Sequence, residues 1–469
     1  MPATSGSVSK VLAKTLSLCP ECLRRIPAFY ITGNAESDIF ISKDCPEHGH
    51  FQTPVWSGAP DFLGWYTQKP LLPLYSKAHD NRGCPYECGL CREHRQHSCC
   101  VLLEVTQNCD LNCPLCFASA GNTGSGLSPD PSPNPSPDDL GRLMDGILAQ
   151  AGNPILQLSG GEPTTRDDLP GIIRLAKQKG FSFIQLNTNG LRLGTETHYA
   201  AELAEAGLSV VYLQFDALKA SSLLTIRGRN CLTEKKSALR AALAAQLPVV
   251  LVATVVPQAN DGELGDLLRL ALAEGSGVRG LHLQPAAYFG RYPKKLSAKR
   301  TTLSGVMQAL AEQSAGLIKL TDFRPNSGEH ELCAFSALYS RTPDGGLQLH
   351  QTKKACCSAA APDINIDRAR DGAEQCKAFT TLNWRHPAKI AQIADDAQDD
   401  FDKILATSGL DLRFTISAMA FQDAFSLDLD RLQQCCVHVA DKKGALVPFC
   451  AYNLTGIDGQ ALYRGVQGR

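Results

Sequence analysis

Residues 100–106, CVLLEVT, form a mostly apolar, β-branched run and predict a buried strand. The same pattern recurs at 154–159 (PILQLS), 183–187 (FIQLN), 210–215 (VVYLQF), 249–256 (VVLVATVV) and 281–285 (LHLQP). Between these runs, apolar side chains recur with helical period over 139–150, 167–179, 195–206, 233–245 and 262–273. Near-continuous apolar strands alternating with amphipathic helices argue for an α/β fold with a parallel sheet covered on both faces. Six such units predict an open partial barrel or a doubly wound sheet; periodicity alone does not choose between them.

Outside this stretch the rhythm is lost. Residues 121–138, GNTGSGLSPDPSPNPSPD, are nearly free of apolar side chains and predict an exposed, partly polyproline-like loop. At its end, Ser136, Pro137 and Asp139 have the order of an N-cap, a first-turn proline and a capping acid. Residues 1–98 show no sustained helix beyond their first turns. Residues 321–469 hold two expected hairpins, one turning at Asp344-Gly345-Gly346 and one at 441–444. The expected division is 1–98, 99–320 and 321–469, in line with roughly 150 residues per domain.

With 46 basic and 47 acidic residues the net charge is −1, which excludes a broad electrostatic grip on nucleic acid. The N-terminal MPATSGSVSKVLAKTLSL lacks the apolar core and cleavage site of a secretion signal. The most apolar segment, 241–256, is broken by Gln246 and Pro248 and predicts no membrane span. The 19 cysteines are an odd number and clustered, so the expected setting is a reducing, cytoplasmic one where cysteines hold metal. Only Cys231 stands apart from the clusters, and is read as a small buried hydrophobe.

Cys109-Asp-Leu-Asn-Cys113-Pro-Leu-Cys116-Phe117 follows directly on the first core strand, where active residues of β/α folds gather. Three thiolates on one loop can wrap one face of an iron–sulfur cluster. They leave one iron of a four-iron cluster without a protein ligand, and an open metal position can bind and activate something else. This CxxxCxxC-aromatic loop resembles the radical SAM superfamily. The resemblance implies a partial (β/α)6 TIM barrel, a [4Fe-4S] cluster on Cys109, Cys113 and Cys116, and S-adenosyl-L-methionine on the open iron. Reduction of the cluster would then release a 5′-deoxyadenosyl radical. Further matches are Gly160-Gly161-Glu162-Pro163 after the second strand and Asn187-Thr188-Asn189-Gly190 after the third. Gln214 and Asp216 follow the fourth, and Arg227 precedes the next helix. By the resemblance these bind the cofactor. Glu162 would receive its ammonium group and Arg227 its carboxylate.

Cys84-Pro-Tyr-Glu-Cys88-Gly-Leu-Cys91 repeats the spacing without a β/α context, and predicts an auxiliary cluster. The doubled motif, with LCPECL (18–23), CPEHG (45–49) and CCVHVADKKGALVPFCAYN (435–453), is similar to one branch. That branch holds the class D radical SAM methylases and the archaeal tetraether synthase. Cys19, Cys22 and Cys45 have the knuckle spacing of a rubredoxin-like iron or zinc site, with Cys99 or His48 as the fourth ligand. Cys333, one of Cys356 and Cys357, one of Cys435 and Cys436, and Cys450 are candidates for a further cluster, with Cys376 in reserve. Of the pairs, Cys357 and Cys435 are the chosen members. His94, His97 and His438 are expected to be structural.

The resemblance implies hydrogen abstraction from an unactivated carbon followed by C–C bond formation. The substrate would be a methylated pterin-like small molecule or a coupled lipid chain. A flavodoxin or ferredoxin would donate electrons, and a lipid substrate would bring the chain to the membrane surface. A non-catalytic cluster carrier is the alternative; it accounts for the cysteines but not for the GGEP, NTNG and arginine segments.

Overall fold

The computed structural model describes residues 9–66, 74–79, 81–121, 134–196, 198–294, 299–350, 367–386 and 412–464. The centre of the proline-rich loop (122–133) and Cys356 and Cys357 lie outside them.

Four strands open the chain: β1 (Val11–Leu18), β2 (Arg25–Thr32), β3 (Ile39–Cys45) and β4 (Gly49–Trp56). They form an antiparallel sheet in sequential order. The first turns, expected to be helical, are therefore a strand, because β1 pairs from Val11 to Leu18 with β2. Trp56 and Tyr30 are almost fully buried and pack around Phe62, with the Trp56 and Phe62 ring centroids 5.9 Å apart.

The large sheet is built on β5 (Cys100–Thr106), β6 (Ile155–Gly160), β7 (Ile184–Thr188), β8 (Val210–Gln214), β9 (Val249–Val255) and β10 (Val278–Pro285). Each lies parallel to the next, in sequence order. A doubly wound sheet reverses its order at a switch point, and this sheet does not, so the partial barrel holds. The later chain extends both edges. It supplies β11 (Arg324–Pro325), β12 (Ala334–Arg341), β13 (Leu347–Leu349) and β14 (Arg413–Met419) beyond β10. On the other side β15 (Val437–Ala440) runs parallel to β5 and pairs with β16 (Leu446–Pro448). Both expected hairpins form.

Helix Pro137–Ala151 begins with the expected capping box: Asp139 N–H donates to Ser136 Oγ (3.1 Å) and Ser136 N–H to Asp139 Oδ2 (3.2 Å). The pattern at 195–206 resolves into two short helices, Leu191–Thr195 and Tyr199–Glu205. Helix Ala220–Arg227 has no counterpart in the sequence reading. Its apolar residues are scattered among Ser and Thr, so no amphipathic stripe announces it.

Strand alternation positions the site. Leu156, Leu186, Leu213, Leu251 and Leu283 point into the layer between sheet and helices. The alternate positions, Gln157, Gln185, Tyr212, Val252 and His282 among them, line one internal cavity. The concave face is therefore polar in part, although the strands read as apolar.

Candidate active site

The cysteine loop leaves β5 at its carboxyl end, and Cys109, Cys113 and Cys116 all reach the cavity. The loop is clasped by the next strand. Gly161 N–H donates to Thr106 O (2.8 Å) and Glu162 N–H to Asn108 O (2.7 Å). A Cβ on Gly160, whose φ is +123°, would stand 2.1 Å from Thr106 O. One on Gly161 would stand 2.1 Å from Asn108 O. No side chain can enter there, so the two glycines set how closely the chain can approach the metal loop.

Glu162 is 2% exposed and braces this rim. Its Oε1 accepts from Thr164 N–H (3.1 Å), Thr164 Oγ (2.8 Å) and Thr188 Oγ (2.7 Å), and its Oε2 from Asn189 N–H (2.6 Å). Burial pushes its carboxyl upward, and these hydrogen bonds oppose the rise. Most of its acceptor capacity is spent on the protein, leaving Oε2 one position for a ligand. Asn189 joins the third strand to the metal loop, donating from Nδ2 to Asp110 Oδ1 (2.6 Å).

Arg227 and Asp216 form a buried bidentate pair, Nε to Oδ2 at 2.7 Å and Nη2 to Oδ1 at 2.5 Å. Asp216 does not line the cavity, contrary to its expected role at the cofactor; it is fully buried behind Arg227. Pro163 is likewise absent from the lining and begins a short 3-10 turn. With its amide turned to face the arginine, Gln214 accepts from Arg227 Nη1 and Nη2 at 3.0 and 2.9 Å. Burial raises the Cys113 thiol, and the neighbouring Arg227 charge opposes that rise. Burial likewise pushes Cys109 up to about 12. Such thiols stay protonated until a metal displaces the proton.

Two residues of this rim carry no sequence signal. Arg291 donates from Nε to Cys113 O (2.8 Å) and from Nη2 to Ala120 O (2.9 Å), while its backbone pairs with Cys116. Lys235, fully buried, donates to Gln214 O (2.6 Å) and Asn189 O (3.2 Å), tying the ends of β7 and β8 together. Their partners are backbone carbonyls of distant residues, which leave no trace in residue type. Three thiols on one cavity wall, beside a guanidinium and a clasping glycine pair, suit an iron–sulfur cluster with an exchangeable position.

The flanking cysteines sort differently from the sequence reading. Cys19, Cys22, Cys45 and His48 bring their ligand atoms within 4.8 Å of one another. Cys45 Sγ lies 3.4 Å and Cys19 Sγ 3.6 Å from His48 Nδ1. His48 is thus the residue that stands fourth with the three knuckle cysteines. Cys99 is not there, because it immediately precedes β5 and faces Cys436, with the two sulfurs 2.9 Å apart. Cys84, Cys88 and Cys91 are mutual neighbours, and the hydrogen bond with Cys84, then burial and the charges of the other two, raise Cys88. Cys333, Cys435 and Cys450 form a separate neighbourhood, in which burial and the other two thiols push Cys435 upward. Cys376 is not in reserve for that group: its thiol neighbours are Cys99 and Cys436. Cys231 is fully buried as expected, as are His94 and His438, whose Nε2 atoms stand 3.2 Å apart.

Residues 103–271 match the radical SAM superfamily, and residues 11–57 match the HMPTM N-terminal zinc ribbon domain. The chain belongs to the radical SAM superfamily, in the branch of the class D methylases. It is an enzyme of that superfamily, for which a [4Fe-4S] cluster and S-adenosyl-L-methionine are implied. The 7,8-dihydro-6-hydroxymethylpterin dimethyltransferase of Methanocaldococcus jannaschii is 32% identical, over 94% of this chain and 93% of its own. The GTP 3',8-cyclase of Moorella thermoacetica is 33% identical over 39% of this chain and 55% of its own. The S-adenosylmethionine complex of SuiB from Streptococcus suis aligns with a TM-score of 0.34 at 14% identity, covering 42% of this chain and 43% of that one. Among the described residues, no helix is long and apolar enough to cross a membrane.

Proposed function

We propose that this enzyme methylates carbon on a reduced, pterin-like ring, forming C–C bonds at positions that carry unactivated C–H. The full-length similarity to a pterin dimethyltransferase supports this reading, and the observation that carries it is the amide-lined cavity. Gln157, Gln185 and Gln284 come from three strands onto one concave face, with Gln185 Nε2 donating to Gln157 Oε1 (3.1 Å). A pterin edge alternates donors and acceptors and can exchange hydrogen bonds with such amides. A lipid tail would leave the amide positions not already paired within the protein unsatisfied, at about 1–3 kcal/mol each. The lipid-coupling reading is weaker for that reason.

Bound together, the cluster and S-adenosylmethionine supply the one-electron chemistry needed to abstract hydrogen from such a carbon. The chain's own residues do the positioning. Cys109, Cys113 and Cys116 would hold the iron, and the glycine clasp fixes their loop. Arg227, locked by Asp216, presents a fixed positive charge suited to a carboxylate. Glu162 and Asn189 hold the rim rigid, and Leu111, Leu115 and Phe117 keep that end of the cavity apolar and dry. Cys84, Cys88 and Cys91 would hold an auxiliary cluster, as would Cys333, Cys435 and Cys450; Cys357, expected with them, lies outside the described residues. A small reducing protein of flavodoxin or ferredoxin type would supply electrons.

The test is anaerobic turnover of the reconstituted protein with S-adenosylmethionine, a reductant, a one-carbon donor and a 6-hydroxymethyl dihydropterin. Formation of 5′-deoxyadenosine together with pterin heavier by one or two methyl groups is expected. Cleavage with no change in the pterin, but with coupling of added lipid chains, would overturn the substrate assignment. Absence of any cleavage would favour the cluster carrier.

A further inference from the structure

Cys99, Cys376, Cys436 and Glu329 converge from four separate parts of the chain. Cys99 immediately precedes β5, Cys436 immediately precedes β15, Cys376 lies on helix Asp367–Trp384, and Glu329 lies on the loop before β12. Their ligand atoms all lie within 4.8 Å of one another. The Cys99 and Cys436 sulfurs are 2.9 Å apart, and Cys376 Sγ is 3.7 Å from Glu329 Oε1.

The packing is tight. Cys99 N–H donates to Cys436 O (2.9 Å), and a Cβ on Gly328 would stand 2.8 Å from Cys376 Cβ. Glu329 is only 9% exposed, and its Oε2 has no hydrogen-bond partner among the described residues. A buried carboxylate oxygen without a donor is costly unless a cation or a proton meets it.

We propose that these four residues bind a single thiophilic divalent cation, zinc or ferrous iron, at the floor of the substrate cavity. Four ligands at roughly 2.0–2.3 Å from a tetrahedral ion lie about 3.5–4 Å from each other, the scale seen here. Among the described residues only this group and the knuckle are so close; neither CxxxCxxC triad is. Sulfurs that bind different corners of a four-iron cube stand farther apart.

Cys99, Glu329 and Cys376 line the cavity that Cys109 and Cys116 line at its other end, while Cys436 is fully buried behind them. The 7 residues of β5 separate the two ends by roughly 20 Å. The ion therefore sits away from the cofactor rim. Three thiolates are its lasting ligands, and the carboxylate facing the cavity is the one an incoming donor can displace.

The test uses the full-length protein, reconstituted anaerobically with iron and sulfide and then exchanged with Co(II). Cobalt, zinc, iron and acid-labile sulfide are counted per chain. The wild type is expected to carry one non-cluster ion at the knuckle and one here. Cys376→Ser/Cys436→Ser should lose one of them with its sulfide count unchanged. Glu329→Gln should keep both and shift the cobalt d–d bands of the reduced protein. Analysis before exchange tells zinc from iron. A wild type with a single non-cluster ion overturns the site. Loss of iron together with sulfide in the double variant makes it a cluster and overturns the single-ion assignment. Should the double variant fail to fold, the wild-type count and Glu329→Gln still decide: unchanged bands remove the carboxylate from the site.

Discussion

Asp216 holds Arg227 through two hydrogen bonds of 2.7 and 2.5 Å, with the aspartate wholly buried and the arginine side chain 6% exposed. The arginine reaches the cavity and the aspartate does not. Breaking a buried ion pair strands a charge and costs about 3–5 kcal/mol. Asp216→Asn keeps the shape and one acceptor but removes the charge. It is expected to lower unfolding stability by about 3 kcal/mol and to weaken S-adenosylmethionine binding at least tenfold. Calorimetric titration and denaturant unfolding measure both. Unchanged cofactor affinity would show that Arg227 needs no anchor.

Gly161→Ala tests the clasp on the metal loop. The new methyl would meet Asn108 O at 2.1 Å and Gln107 O at 2.8 Å, both backbone atoms. The loop must move away, and Cys109 moves with it. The expected result is loss of one cluster's iron, about four atoms per chain, with the knuckle metal retained. A variant that reconstitutes fully and cleaves S-adenosylmethionine at the wild-type rate would refute the clasp.

The acid side of the stability profile should report on His282. Burial alone drives its imidazole from the ordinary 6.5 down to about 3, and its Nδ1 lies 2.8 Å from Ser417 Oγ. Below pH 6.5 the unfolded chain takes up a proton that the native state refuses until about 3. The contribution is thus complete above 6.5 and is lost as pH falls, at up to about 1.4 kcal/mol per unit. His282→Gln removes the titration and keeps a polar group. Between pH 7 and 5 the wild type should lose about 2 kcal/mol more than the variant in urea unfolding. Equal losses would place the acid sensitivity elsewhere.

The core strands were legible because a strand buried on both faces has to be a short, β-branched run. The glutamines inside those runs, at 157 and 185, were visible but gave no sign of facing one another, since only the register of β6 against β7 sets Gln157 opposite Gln185. Cys109, Cys113 and Cys116 were legible from spacing because they share one short loop. Cys99, Cys376 and Cys436 were not, because their convergence depends on β15 adding to the edge of β5. His48 had a signal: it follows Cys45 at the same spacing that separates Cys19 from Cys22. β1 was misread because exposed Val11 and Leu16 blur the alternation that marks a half-buried strand.

Two copies of CxxxCxxC raise the question of which one meets S-adenosylmethionine, and the structure separates them by surroundings. Cys109, Cys113 and Cys116 share a cavity with Glu162, Asn189 and Arg227. Cys84, Cys88 and Cys91 do not line that cavity. They pack instead near Tyr463, whose hydroxyl accepts from Cys88 N–H (2.5 Å) and donates to Pro85 O (2.7 Å). Cys109→Ala should therefore abolish formation of 5′-deoxyadenosine. Cys84→Ala should leave cofactor cleavage in place and lose methylated product, uncoupling the two. Quantifying 5′-deoxyadenosine and product in the same anaerobic reaction separates these outcomes. The opposite pattern, cleavage lost with Cys84 and kept without Cys109, would move the reaction to the N-terminal triad, away from every cofactor-facing residue named above.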